Sequence, residues 1–84
     1  MNKTAYTVYD NDTQEFTLTT NIFAALMAWF NLYNRTGQQS QIVVEHPSGL
    51  KENAQIDELY SMLPEKDKKA MFAGIKPPPG FSLN

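Results

Sequence analysis

Apolar and polar residues alternate over the first part of the chain, and this alternation predicts two strands. In residues 4–9, aromatic and β-branched side chains alternate between two faces. In residues 15–20, Phe16 and Leu18 alternate with threonines. β-branched and aromatic residues with a period of two are typical of strands. Because the run D-N-D-T-Q between the two segments favours a turn, the sequence predicts a β-hairpin.

The spacing of apolar residues then changes and predicts a long helix over 22–35. The stretch contains neither Gly nor Pro. Thr20 or Asn21 is placed to cap its N-terminus, and Gly37 follows as a left-handed C-terminal residue. Apolar side chains cover more than half of the helical wheel, whereas a surface helix needs a stripe of only about 100°. We therefore expect this helix to be covered on more than one side by its apolar residues, which are Ile22, Phe23, Leu26, Met27, Trp29, Phe30, Leu32 and Tyr33.

A third strand is predicted over 42–45, where β-branched residues recur. Pro, Ser and Gly at 47–49 then turn the chain. A fourth strand has little support from the sequence, because 51–53 is short and polar.

Two helices are predicted in the C-terminal half. Asn53 is placed to cap a helix over 54–62, whose apolar residues follow the i, i+3, i+4, i+7 pattern. Pro64 favours the first turn of a further helix, which Gly74 would end.

The order β-β-α-β-α-α predicts a small two-layer α+β domain over residues 1–75. We expect a three-stranded, mainly antiparallel sheet packed against the long apolar helix, with the C-terminal helices covering the rest of that helix. A β-grasp-like arrangement is an alternative, since a hairpin followed by a long helix also opens that fold. Residues 76–84 form a Pro-rich C-terminal tail, in which three prolines favour polyproline II geometry.

Composition narrows the classes of function. The 84 residues allow one domain, and 42% hydrophobic residues suffice for a core. The net charge of −2 disfavours a protein that binds the nucleic-acid backbone. The absence of cysteine removes disulfides and thiolate chemistry. No apolar run approaches the roughly 20 residues of a transmembrane helix, so the sequence predicts a soluble, cytoplasmic protein with no membrane partner.

His46 is the only histidine and the only candidate general base. Ser48 is too close in sequence to indicate a catalytic triad. An enzyme would need Glu45 or Asp57 brought to His46 by folding, and no spacing indicates this. We expect a structural or exposed turn histidine, no enzymatic activity and no cofactor.

Asp10, Asp12 and Glu15 crowd the hairpin turn. Carboxylates in this arrangement could bind calcium, but the glycine and distal glutamate of a calcium-binding loop are missing. We interpret the cluster as a solvated turn and predict no metal site.

The aromatic residues of the long helix are the main candidates for partner binding. Core positions are expected for Ile22, Leu26, Trp29 and Tyr33. An exposed edge for protein binding or dimerisation is expected at Phe23, Met27 and Phe30, because aromatic residues are enriched at interaction hot spots. Phe81 in the tail is expected either to pack on the domain or to dock into a partner's groove.

Two functions remain open. The first is a small non-enzymatic protein-interaction module, an accessory or inhibitory protein that occupies a partner's surface. Small phage and mobile-element proteins of this size are one such class. The partner is a protein, with a homo-oligomer as a further alternative. The second is a nucleic-acid-associated regulator that uses Lys66, Lys68 and Lys69, with Tyr6 and Tyr9 stacking on bases.

Overall fold

A computed structural model describes residues 3–10, 14 and 16–73 of the chain. Four strands and three helices lie in this part, which confirms the α+β prediction. In chain order they are β1 (Ala5–Tyr9), β2 (Phe16–Thr19), α1 (Ile22–Thr36), β3 (Gln41–Glu45), β4 (Lys51–Asn53), α2 (Ile56–Ser61) and α3 (Glu65–Met71).

The strands form one sheet in the order β2-β1-β3-β4, and each neighbouring pair is antiparallel. The fourth strand corrects the expectation of three. Its residues are all exposed, so no apolar residue marks it in the sequence, and only pairing with β3 reveals it. Asn53 pairs with Val43 in this strand and does not cap α2, which begins at Ile56 after Gln55.

Both ends of α1 are capped by residues that the sequence singles out. Between the two candidate N-caps, the structure selects Asn21, whose Oδ1 accepts a hydrogen bond from the Ala24 N–H at 3.0 Å. Gly37 has φ 75°, and its N–H donates to the Tyr33 carbonyl at 2.8 Å. A residue with a Cβ is strained at this φ, so Gly is favoured here.

The core lies between one face of the sheet and the three helices. Alternate residues of β1 and β3 supply the sheet side, and α1 packs on them. Helices α2 and α3 contact α1 in turn, as the wide apolar arc of α1 predicts. The buried apolar residues are Tyr6, Val8, Ala25, Leu26, Trp29, Phe30, Ile42, Val44, Leu59, Tyr60, Leu63 and Met71.

A buried carboxylate links the hairpin to the end of α1. Asp10 follows β1 and is only 4% exposed, while the Arg35 side chain is 63% exposed. The Arg35 Nη2 donates to the Asp10 Oδ2 at 2.9 Å. Because Arg35 lies in the last turn of α1, the ion pair connects the end of β1 to the end of α1.

Several predictions fall outside the described residues. These are the end of the third helix at Gly74, the tail 76–84 with Phe81, and the turn carboxylates Asp12 and Glu15. Within the residues that are described, no helix has the length and apolar character needed to cross a membrane.

Candidate protein interface

The sheet has one face under α1 and one face that no described element covers, which we call the outer face. Its residues are placed together by the strand register: Tyr9 lies opposite Phe16, and Thr7 lies opposite both Leu18 and Val43. Tyr9 is 41% exposed, and Phe16 and Leu18 are each 63% exposed. The ring centroids of Tyr9 and Phe16 lie 6.3 Å apart, so the two rings form one exposed aromatic cluster.

The outer face is limited in size. It spans four strands of at most five residues, and strands lie about 4.8 Å apart with a rise of about 3.4 Å per residue. The face therefore measures about 300 Å². This area includes Glu45 and Lys51, so the apolar part at Tyr9, Phe16 and Leu18 is smaller than the face, whereas a standard stable interface needs about 800 Å² from each partner. The outer face alone therefore supports a transient contact or one part of a larger interface.

The hairpin register determines which side chains are exposed. Pairing of Tyr9 with Phe16 places odd-numbered residues of β1 opposite even-numbered residues of β2. The β2 threonines consequently share the helix-covered face with Tyr6 and Val8, and Phe16 and Leu18 share the outer face. A shift of one residue would reverse this arrangement. Sequence reasoning did not single out Phe16 and Leu18 as site residues, because alternation alone does not reveal the register.

The predicted partner-binding edge of α1 is not an exposed surface. Phe30 is 0% exposed, and its ring centroid lies 5.1 Å from that of Trp29 and 4.9 Å from that of Phe72. The expectation that Phe30 lies at an exposed edge is wrong, because Phe72 at the end of α3 covers it. Phe23 and Met27 are half-buried against the core.

The core predictions for α1 agree with the structure. Trp29 and Leu26 are buried, and Ile22 and Tyr33 are half-buried against the same cluster. The indole Nε1 of Trp29 donates to the Ser40 carbonyl at 2.6 Å, so its polar atom is satisfied inside the core.

The three lysines proposed to bind nucleic acid do not lie on the outer face. Lys68 is half-buried, with its ammonium 3.8 Å from the Glu65 carboxylate and 5.7 Å from the Tyr60 ring centroid. Lys66 and Lys69 are exposed on α3, which packs on the helix side of the molecule.

The two tyrosines proposed to stack on bases are also separated. Tyr6 is buried on the helix-covered face, and Tyr9 lies on the outer face. The lysines and Tyr9 thus do not form one surface.

His46 lies beside a groove of about 260 Å³ between the sheet and α2. Its Nε2 is 3.2 Å from the Glu52 Oε1. Neither Glu45 nor Asp57 is a described hydrogen-bond partner of His46. Tyr6 also lines the groove, and burial raises the pKa of its hydroxyl.

The carboxylate cluster of the hairpin turn is only partly described. Asp10 is paired with Arg35, which leaves less of its carboxylate for a cation. Among the described residues there is no group of three or more His, Asp and Glu side chains placed to hold a metal ion.

The chain matches no protein-family model, no curated protein and no solved structure.

Proposed function

We propose that this chain is a non-enzymatic protein-interaction module, an accessory or inhibitory protein that occupies part of a partner's surface. One observation carries the proposal: Tyr9, Phe16 and Leu18 are exposed together on the outer face, while the apolar strand residues of the other face are buried in the core. Contiguous exposed apolar patches mark interaction sites, and aromatic residues are enriched at their energetic centres.

Charge supports a protein rather than a nucleic acid as the partner. The described part of the outer face carries both signs, with Glu45 opposite Lys51. A surface that binds phosphates needs an excess of Lys and Arg, and the whole chain has a net charge of −2. Among the described residues of this face, Glu45 offsets the charge of Lys51, which disfavours binding of a nucleic-acid backbone.

The test is a tagged pull-down from a lysate of the source organism, read by mass spectrometry, with and without nuclease. We expect a stoichiometric protein partner that survives nuclease and is lost with Phe16→Thr. Threonine keeps a high strand propensity, and loss of an aromatic anchor costs about 2 kcal/mol of binding or more.

Leu50→Thr is the matched control, because Leu50 is 60% exposed outside the sheet face. It should retain the partner. Capture that is unchanged by Phe16→Thr contradicts the proposal. Capture that disappears with nuclease and with Lys66→Ala and Lys69→Ala favours the nucleic-acid alternative.

A further inference from the structure

The two edges of the sheet differ in how they are protected. Edge strands expose unpaired main-chain groups, and proteins commonly block them with short strands, charges or proline. The β4 edge follows this rule, since it has three residues and includes Lys51 and Glu52. The β2 edge reads F-T-L-T, with neither charge nor proline. Of the described edges, β2 is therefore the one open to another strand.

The hydrogen-bond ladder shows which β2 main-chain groups point away from β1. The Ala54 N–H donates to the Ile42 carbonyl at 2.9 Å, and the His46 N–H donates to the Leu50 carbonyl at 2.8 Å. Even-numbered residues of β3 therefore bond toward β4, and odd-numbered residues bond toward β1. Successive residues of an antiparallel strand bond alternately to its two neighbours.

The same alternation carries across β1 to β2. Odd-numbered residues of β1 bond to β3, so Tyr6 and Val8 bond to β2 through their partners Thr19 and Thr17. The main-chain N–H and C=O groups of Phe16 and Leu18 consequently point away from β1, to the free edge.

We propose that β2 pairs with β2 of a second copy, antiparallel about a two-fold axis at Thr17, to give one continuous eight-stranded sheet. In this register Phe16 of each copy lies opposite Leu18 of the other. Both residues direct their main-chain N–H and C=O groups to this edge, where no described strand pairs with them, so each of the two pairs exchanges two N–H···O bonds. Their side chains meet on the outer face, where an aromatic ring and an aliphatic chain form a favourable cross-strand pair.

Two further features of β2 favour pairing with β2 of a second copy. No charged residue lies among the described residues of β2, so no like charges oppose each other across the axis. Pairing of β2 with β2 is isologous and closes at two copies, whereas pairing of β2 with β4 of another molecule would propagate as an open chain. The charged β4 edge disfavours that second arrangement.

The experiment uses the purified full chain and does not depend on the proposed partner. Sedimentation equilibrium over a concentration series should show a mass rising from 9.5 kDa toward twice that value. The contact is small, so we expect reversible, concentration-dependent association. A chain that stays monomeric up to its solubility limit overturns the proposal.

Leu18→Pro and Leu18→Ala separate main-chain pairing from side-chain contact. Both remove the leucine side chain, but only proline also removes the N–H at the free edge, which β1 does not use. We expect Leu18→Pro to weaken self-association at least tenfold more than Leu18→Ala. Equal loss in the two variants would instead indicate face-to-face stacking of the outer faces and would overturn strand pairing.

Amide hydrogen exchange in the unmodified chain gives a second test that does not depend on the proline variant folding. The Phe16 and Leu18 amides should exchange more slowly as the concentration rises. The Thr17 and Thr19 amides, which bond to β1, should be protected at every concentration. Protection of Phe16 and Leu18 that is independent of concentration overturns the proposal.

Discussion

The two faces of the sheet both carry aromatic and aliphatic residues, but these residues are buried on one face and exposed on the other. The covered face contributes Tyr6, Val8 and Ile42 to the core, and the outer face exposes Phe16 and Leu18 to solvent. The difference does not lie in the residue types, because both faces carry aromatic and aliphatic side chains. It lies in the position of α1, which the connection after β2 places on one face only. An apolar strand residue is therefore a core residue only if a second layer reaches it.

The sharpest test of this comparison uses two phenylalanines. Phe30 is fully buried and Phe16 is mostly exposed. Phe30→Ala should lower the free energy of unfolding by about 3–5 kcal/mol, through lost burial and the cavity left behind. Phe16→Ala should lower it by about 1 kcal/mol or less, the scale of one cross-strand pair. Urea denaturation of both variants measures the difference, and equal effects would contradict the assignment of faces.

The elements that could be predicted from the sequence are those determined by local chemistry. The ends of α1 follow from Asn21 and Gly37, whose capping roles depend on adjacent main-chain groups. The hairpin follows from alternation around a turn-forming segment. These features need no knowledge of distant contacts, and the structure contains them.

The features that could not be predicted depend on contacts between distant residues. Strand β4 has no apolar pattern and exists through its pairing with β3. Phe30 is buried because Phe72 reaches it from more than forty positions later in the chain. The exposure of Phe16 and Leu18 depends on the hairpin register, because a shift of one residue would move both side chains to the other face. The sequence did not reveal the candidate interface, because alternation does not determine this register.

A smaller effect is expected from the buried charge at the end of β1. Asp10 is the buried charged residue among those described, and Arg35→Met removes its cationic partner while retaining an apolar stem. The free energy of unfolding should fall by about 1–3 kcal/mol, because a buried charged group loses a hydrogen bond.

Lys51→Met is the matched control for the outer face, where Lys51 is exposed. It should change stability by no more than about 0.5 kcal/mol. Asp10→Asn in the Arg35→Met background should recover part of the loss, because it removes the buried charge that the Arg35 guanidinium offsets. If urea denaturation shows the same change in the free energy of unfolding for Arg35→Met and Lys51→Met, the ion pair between Asp10 and Arg35 does not stabilise the fold.

The smallest effect is a pH dependence that comes from the tyrosine buried on the covered face. Burial raises the pKa of the Tyr6 hydroxyl above its ordinary value of 10.0. The unfolded chain therefore loses this proton at a lower pH than the folded chain. The stability that the neutral hydroxyl contributes is present below pH 10.0, and it declines as the pH rises through the folded-state pKa. Tyr6→Phe should flatten the alkaline fall of the urea midpoint. The urea midpoint measured over rising pH tests this, and a Tyr6→Phe variant that falls as steeply as the wild type would mean that burial of the Tyr6 hydroxyl does not contribute to the alkaline loss of stability.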